Sequence, residues 1–117
     1  MENDMTMETA IAELIEAIRA DYLTWTTNRG RTALSDVAVK MVKEFNEGIS
    51  VEHGRKYIKI VSRGSVWGFI VATEGDKFPR GTILKAASWA TPARNHARGN
   101  VLEGGYTIQW TGPLYMN

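Results

Sequence analysis

Apolar residues in the first quarter of the chain recur at a spacing of three and four. Ile11, Leu14, Ile15, Ile18 and Tyr22 share one side of a helix that this spacing predicts from Met7 to about Leu23, with acidic residues on the opposite side. Thr6 stands where an N-cap belongs, and Glu8 suits the positive end of the helix dipole. From Leu23 to Arg31 the period is lost and the residues turn β-branched and polar, so the helix is expected to stop there. Val37, Met41 and Phe45, widened by Ala38 and Val42, predict a second helix, started by Ser35-Asp36 and ended by Gly48. Two short amphipathic helices are not stable alone, so they must lie on an apolar surface or on a partner subunit.

From Ile49 onward the period is two. Strands are expected at 49–53 and 56–63 around a Gly54-Arg55 hairpin, then at 66–73 after the Arg63-Gly64-Ser65 turn. A Gly- and Pro-containing loop over 74–81 leads to a short strand at 82–85, and a last strand over 106–110 is stopped by Thr111-Gly112-Pro113. Along 56–63 the alternation leaves one face apolar and puts Tyr57, Lys59 and Arg63 on the other. The expected fold is therefore α+β: two N-terminal helices followed by an antiparallel sheet of about five strands, connected as a meander. It reads as one domain over 1–117, with a helical part (1–48) and a sheet part (49–117) that carries a binding loop.

Composition narrows the function. A hydrophobic content of 44% and a charged content of 23% over 117 residues are ordinary for a folded domain. There is no Cys, which removes disulfides and thiolate metal sites. No apolar run approaches a membrane span, and the acidic start Met-Glu-Asn-Asp lacks the positive charge of a signal peptide, so an intracellular, soluble protein with no membrane partner is expected. The formal net charge of +1 is unevenly spread: residues 1–25 carry a net of −5 and residues 29–100 a net of +7. An acidic head and a basic body allow a local anion site without the overall positive charge of a DNA-coating protein.

The stretch with the most chemistry runs from Lys85 to Asn100. Its side chains are either small (Ala86, Ala87, Ser88, Ala90, Ala93, Ala97, Gly99) or able to grip (Lys85, Trp89, Arg94, Asn95, His96, Arg98, Asn100). Small residues let a ligand approach the backbone, arginine forks match phosphate oxygens, a Trp face stacks on a base, and Asn serves a base edge or ribose. Phe78, from the preceding loop, is a second stacking candidate. A surface loop with solvated arginines and a core Trp accounts for the composition equally well. Thr91 to His96 could instead form a short helix with Pro92 in its first position, placing Arg94 and Arg98 on one side. Near the helices, Trp25 with Arg29 and Arg31 offers another grip, weighed against burial of Trp25 on the second helix.

Catalytic groups are scarce. His96 with Ser88 has no carboxylate in the motif to orient it, and His53 has no metal-ligand spacing around it. Gly64-Ser-Val-Trp-Gly68 lacks the central Ser of a nucleophile elbow, and phosphate loops are absent. The expectation is a protein that is not an enzyme and holds no metal and no cofactor.

The runs Ile83-Leu-Lys-Ala-Ala-Ser-Trp89, Pro92-Ala-Arg-Asn95, Ala97-Arg-Gly-Asn100 and Trp110-Thr-Gly-Pro-Leu-Tyr115 resemble a group of small proteins of tailed bacteriophages. The two-helix and sheet layout is also similar to the Thoeris anti-defence 1 family, whose members sequester cyclic ADP-ribose isomers, and in some cases cyclic oligonucleotides, in pockets between subunits. That resemblance implies a homo-oligomer in the cytoplasm of an infected bacterial host, capturing a small phosphorylated nucleotide signal without chemistry and so countering host immune signalling. The site residues named above come from their own chemistry and not from either family. The alternative expectation is a host-takeover factor that binds nucleic acid or a host protein through the basic sheet face of Lys59 and Arg63.

Overall fold

The computed structural model describes residues 6–27, 35–73, 77–93, 97–104, 106 and 108–113. Among these the order is two helices, α1 (Met7–Thr26) and α2 (Asp36–Glu47), then strands β1 (Ile49–His53), β2 (Tyr57–Ser62), β3 (Ser65–Val71) and β4 (Ile83–Leu84). A ribbon of β5 (Ile108–Gln109) and β6 (Gly112–Pro113) follows. The fold is α+β. The four longer-range strands form an antiparallel meander in the order β1-β2-β3-β4, and the ribbon stands apart from it.

Both helices start where the caps predict. Thr6 accepts from the Thr9 amide at 3.1 Å, and Ser35 accepts from the Ala38 amide at 3.1 Å. The end of α1 is a correction: it runs one turn past Leu23, to Thr26. The Thr26 and Thr27 hydroxyls donate to the carbonyls of Tyr22 and Leu23 at 2.7 and 2.9 Å, so the two β-branched residues extend the turn instead of breaking it.

The apolar side of α1 (Ala10, Ile11, Leu14, Ile18, Tyr22) is buried against Phe45 of α2 and against Ile58, Ile60, Trp67 and Ile70 of the sheet. Tyr22 and Phe45 stack at 4.0 Å, and Trp110 meets both edge-on. The ribbon is fastened at two points: Asp21 accepts from the Trp110 amide at 2.8 Å, and the Trp67 indole donates to the Gln109 carbonyl at 2.9 Å. Gln109 therefore turns back through Trp110-Thr111 into β6, where the sequence suggested that the strand ended.

Arg63 is a second correction. With Gly64 it forms the two-residue β2–β3 turn, and both have positive φ, 50° and 80°, as a primed hairpin turn requires. This backbone breaks the alternation and swings Arg63 to the helix side. Its guanidinium carbon lies 5.6, 5.9 and 6.0 Å from the ring centres of Phe45, Tyr22 and Trp110. Gly48 makes room, since a Cβ there would stand 2.9 Å from Arg63 Cγ.

The opposite face of the sheet is not a bare polar surface either. Phe69, Val71 and Leu84 form a second buried cluster, flanked by Tyr57, Val66, Phe78 and Ala86. Phe78 and Ala86, from the chain on either side of β4, thus act as a partial cover over this face, and five of the seven residues of β3 are buried.

Candidate functional site

The described residues of the Lys85–Asn100 stretch divide into a mostly exposed segment, 85–93, and a mostly buried one, 97–100. Ala87 and Ser88 both donate to the Thr91 carbonyl, Ala93 donates to Lys85, and Ala86 bridges Pro92, so 85–93 folds back on itself as a tight exposed loop. Of the helix considered for Thr91 to His96, residues 91–93 are not helical, and 94–96 lie outside the described residues. Residues 98–101 then run along the open edge of β4, with Ile83 donating to Gly99 at 2.8 Å and Arg98 to Ile83 at 2.7 Å. Gly99 has φ +129°, and a Cβ there would stand 2.6 Å from Tyr106 Cβ. Burial pushes the Tyr106 phenol above its usual range, and the nearby Glu13 carboxylate adds to the effect.

The buried segment accounts for two of the expected site residues. Arg98 is 3% exposed, inside the fold. Asn100 is also buried, with its amide donating to the Arg80 carbonyl at 3.0 Å and its oxygen accepting from Leu102 at 2.8 Å, so it shapes the loop. Phe78 packs on the second cluster with the Lys77 ammonium 5.4 Å from its ring centre. Lys85 is exposed beside Ala86. Arg29, Arg31, Arg94, Asn95 and His96 lie outside the described residues.

Trp89 is 53% exposed and meets a cation that comes from the sheet and not from its own loop. The Lys59 ammonium sits 4.3 Å from the Trp89 ring centre and 3.7 Å from Glu52. The register explains the meeting. Glu52, Lys59, Phe69 and Leu84 form one row across β1 to β4 on the face turned away from the helices, and the exposed loop returns over that row. With its side chain only 14% exposed, Lys59 is a partly desolvated cation fixed between a carboxylate and a π-face.

Beside this pair a cavity of about 300 Å³ opens between the Gly54–Lys56 turn and Tyr57, Phe69 and Ala90. Arg55, Lys56 and His53 are exposed around it. Aromatic walls and a cationic rim suit a flat ring that bears an anionic group. The alternation of β2 already put Tyr57 and Lys59 on this face. The contributions of Arg55, Lys56 and Phe69 carry no local signal, because they depend on how the hairpin turn and β3 register with β2. Trp25, 58% exposed, lies on the helix side against Tyr22 and Trp110, so within one chain it does not converge with Trp89.

Among the described residues no group of His, Cys, Asp and Glu could hold a metal ion, and no helix is long and apolar enough to cross a membrane. What fold and cleft define is a small α+β domain with a cationic and aromatic surface cleft. The chain belongs to a family of unknown function, DUF7717, and the match spans residues 1–116. No curated protein and no solved structure matches it.

Proposed function

We propose that this protein is a non-enzymatic binder of a small phosphate-bearing nucleotide, with its base on Trp89 and its phosphate toward Arg55 and Lys56. The observation that carries the reading is the Lys59 ammonium fixed 4.3 Å from an exposed indole at the edge of a cavity of about 300 Å³. An exposed Trp next to a held cation is costly to leave in water and serves as a stacking platform worth about 1 to 3 kcal/mol per base. Charge-assisted bonds from the rim cations add to it. The resemblance to anti-defence sponges extends the proposal to a cyclic ADP-ribose-like or cyclic oligonucleotide signal held by a homo-oligomer.

Titration with AMP, cyclic ADP-ribose and a cyclic dinucleotide, followed by calorimetry, tests it. Saturable binding that weakens about tenfold in Trp89→Ala and in Lys59→Gln is expected, with the ligand recovered chemically unchanged. Absence of binding to all three, or full affinity in Trp89→Ala, overturns it. The alternative, a factor that binds nucleic acid or a host protein through the basic sheet face of Lys59 and Arg63, would have to use Lys59 without Arg63, whose guanidinium lies on the helix side.

A further inference from the structure

A second cleft lies on the other side of the sheet, between the last turn of α1 and the β5–β6 ribbon. Its cavity of about 380 Å³ is lined by Asp21, Thr24, Trp25, Gln109, Trp110 and Thr111. Trp25 and Trp110 touch, with ring centres 5.1 Å apart and planes inclined by 51°. They make one bent wall and not a slot, so no flat ring inserts between them. Among the described residues, that wall is surrounded by two hydroxyls, an amide and a carboxylate, and none of the described lining residues is Lys or Arg. Asp21 is held in place by the Trp110 amide at 2.8 Å and keeps acceptor capacity on its carboxylate.

We propose that this cleft binds a saccharide. A pyranose ring has an apolar C–H face and a rim of hydroxyls. The face needs an aromatic surface, and the rim needs neutral donors and acceptors with a carboxylate among them. Two inclined indoles follow the puckered rings of consecutive sugar units better than the plane of a base. The one formal charge among the described lining residues is the Asp21 carboxylate, which favours a neutral hydroxylated guest over a phosphate. A quaternary ammonium needs rings on several sides of the ion, and here the rings offer one side. The inference is independent of the nucleotide reading, which concerns the opposite face of the sheet.

The test is titration of the full chain with maltotriose, cellotriose and triacetylchitotriose, read by tryptophan emission and by amide NMR shifts, with tetramethylammonium and AMP as controls. At least one trisaccharide should bind saturably and shift the amides of Gln109 to Thr111. Trp25→Ala should weaken that binding about tenfold, while Trp89→Ala leaves it unchanged. Thr24→Ala and Gln109→Ala, both at exposed positions, should weaken it severalfold and guard against a misfolded Trp25 variant. Failure of all three sugars to bind, undiminished binding in folded Trp25→Ala, or tetramethylammonium acting where the sugars do not, overturns the proposal.

Discussion

The two faces of the sheet are closed by different means. On the helix side, α1 and α2 cover Ile58, Ile60 and Ile70, and Tyr22, Phe45 and Trp110 complete a packed aromatic group. On the loop side, Phe69, Val71 and Leu84 are covered by irregular chain carrying Phe78 and Ala86, and the cover ends where Trp89 meets Lys59. Helices bury a continuous stripe, whereas a loop buries what it passes over and leaves concave gaps. The gap beside Lys59 and Trp89 is therefore a consequence of how that face is covered.

The largest effect expected on this contrast is from Phe45→Ala, which removes the ring stacked on Tyr22 at 4.0 Å. It should cost about 3 to 5 kcal/mol in urea unfolding. Leu84→Ala, on the loop side, should cost about 2 kcal/mol, because irregular chain can settle into the space more readily than a helix; equal costs would break the comparison. Gly99→Ala forces a side chain onto a φ of +129° and into Tyr106, with an expected loss of about 1 to 3 kcal/mol in the same assay. Trp89→Ala should change stability by no more than about 0.5 kcal/mol while reducing nucleotide binding, which separates the cleft from the scaffold.

The smallest effect concerns pH. The Tyr106 phenol is raised by burial, then by Glu13, so the folded state holds its proton more tightly than the unfolded state. Stability from this group is complete below pH about 10 and declines as pH rises through the folded value. Thermal melts of Tyr106→Phe should lack that alkaline decline.

Regular patterning carried the helices and the long strands into view: the 3.6 period of Ile11 to Tyr22, the two caps and the alternation from Ile49 all reappear in the fold. Where a local rule failed, a tertiary contact had overruled it. Composition suggested exposed grips at Arg98 and Asn100, yet pairing along β4 draws both inside. Period two put Arg63 beside Lys59, yet the turn sends it to three rings distant in sequence. Trp89 was legible as a gripping residue, but its partner was not, because a loop returning over a sheet joins residues 30 positions apart without any local signal.

Arg63 links the order of assembly to the identity of one hairpin tip. A non-glycine residue at φ +50° is strained locally, and here the compensation comes from rings supplied by both helices and the ribbon. The β2–β3 connection should then close firmly only once the helices have docked, so the chain folds as one cooperative unit. Amide exchange at Ser65 should accordingly be as slow as exchange in the middle of α1, a long way along the chain from the bend that it protects.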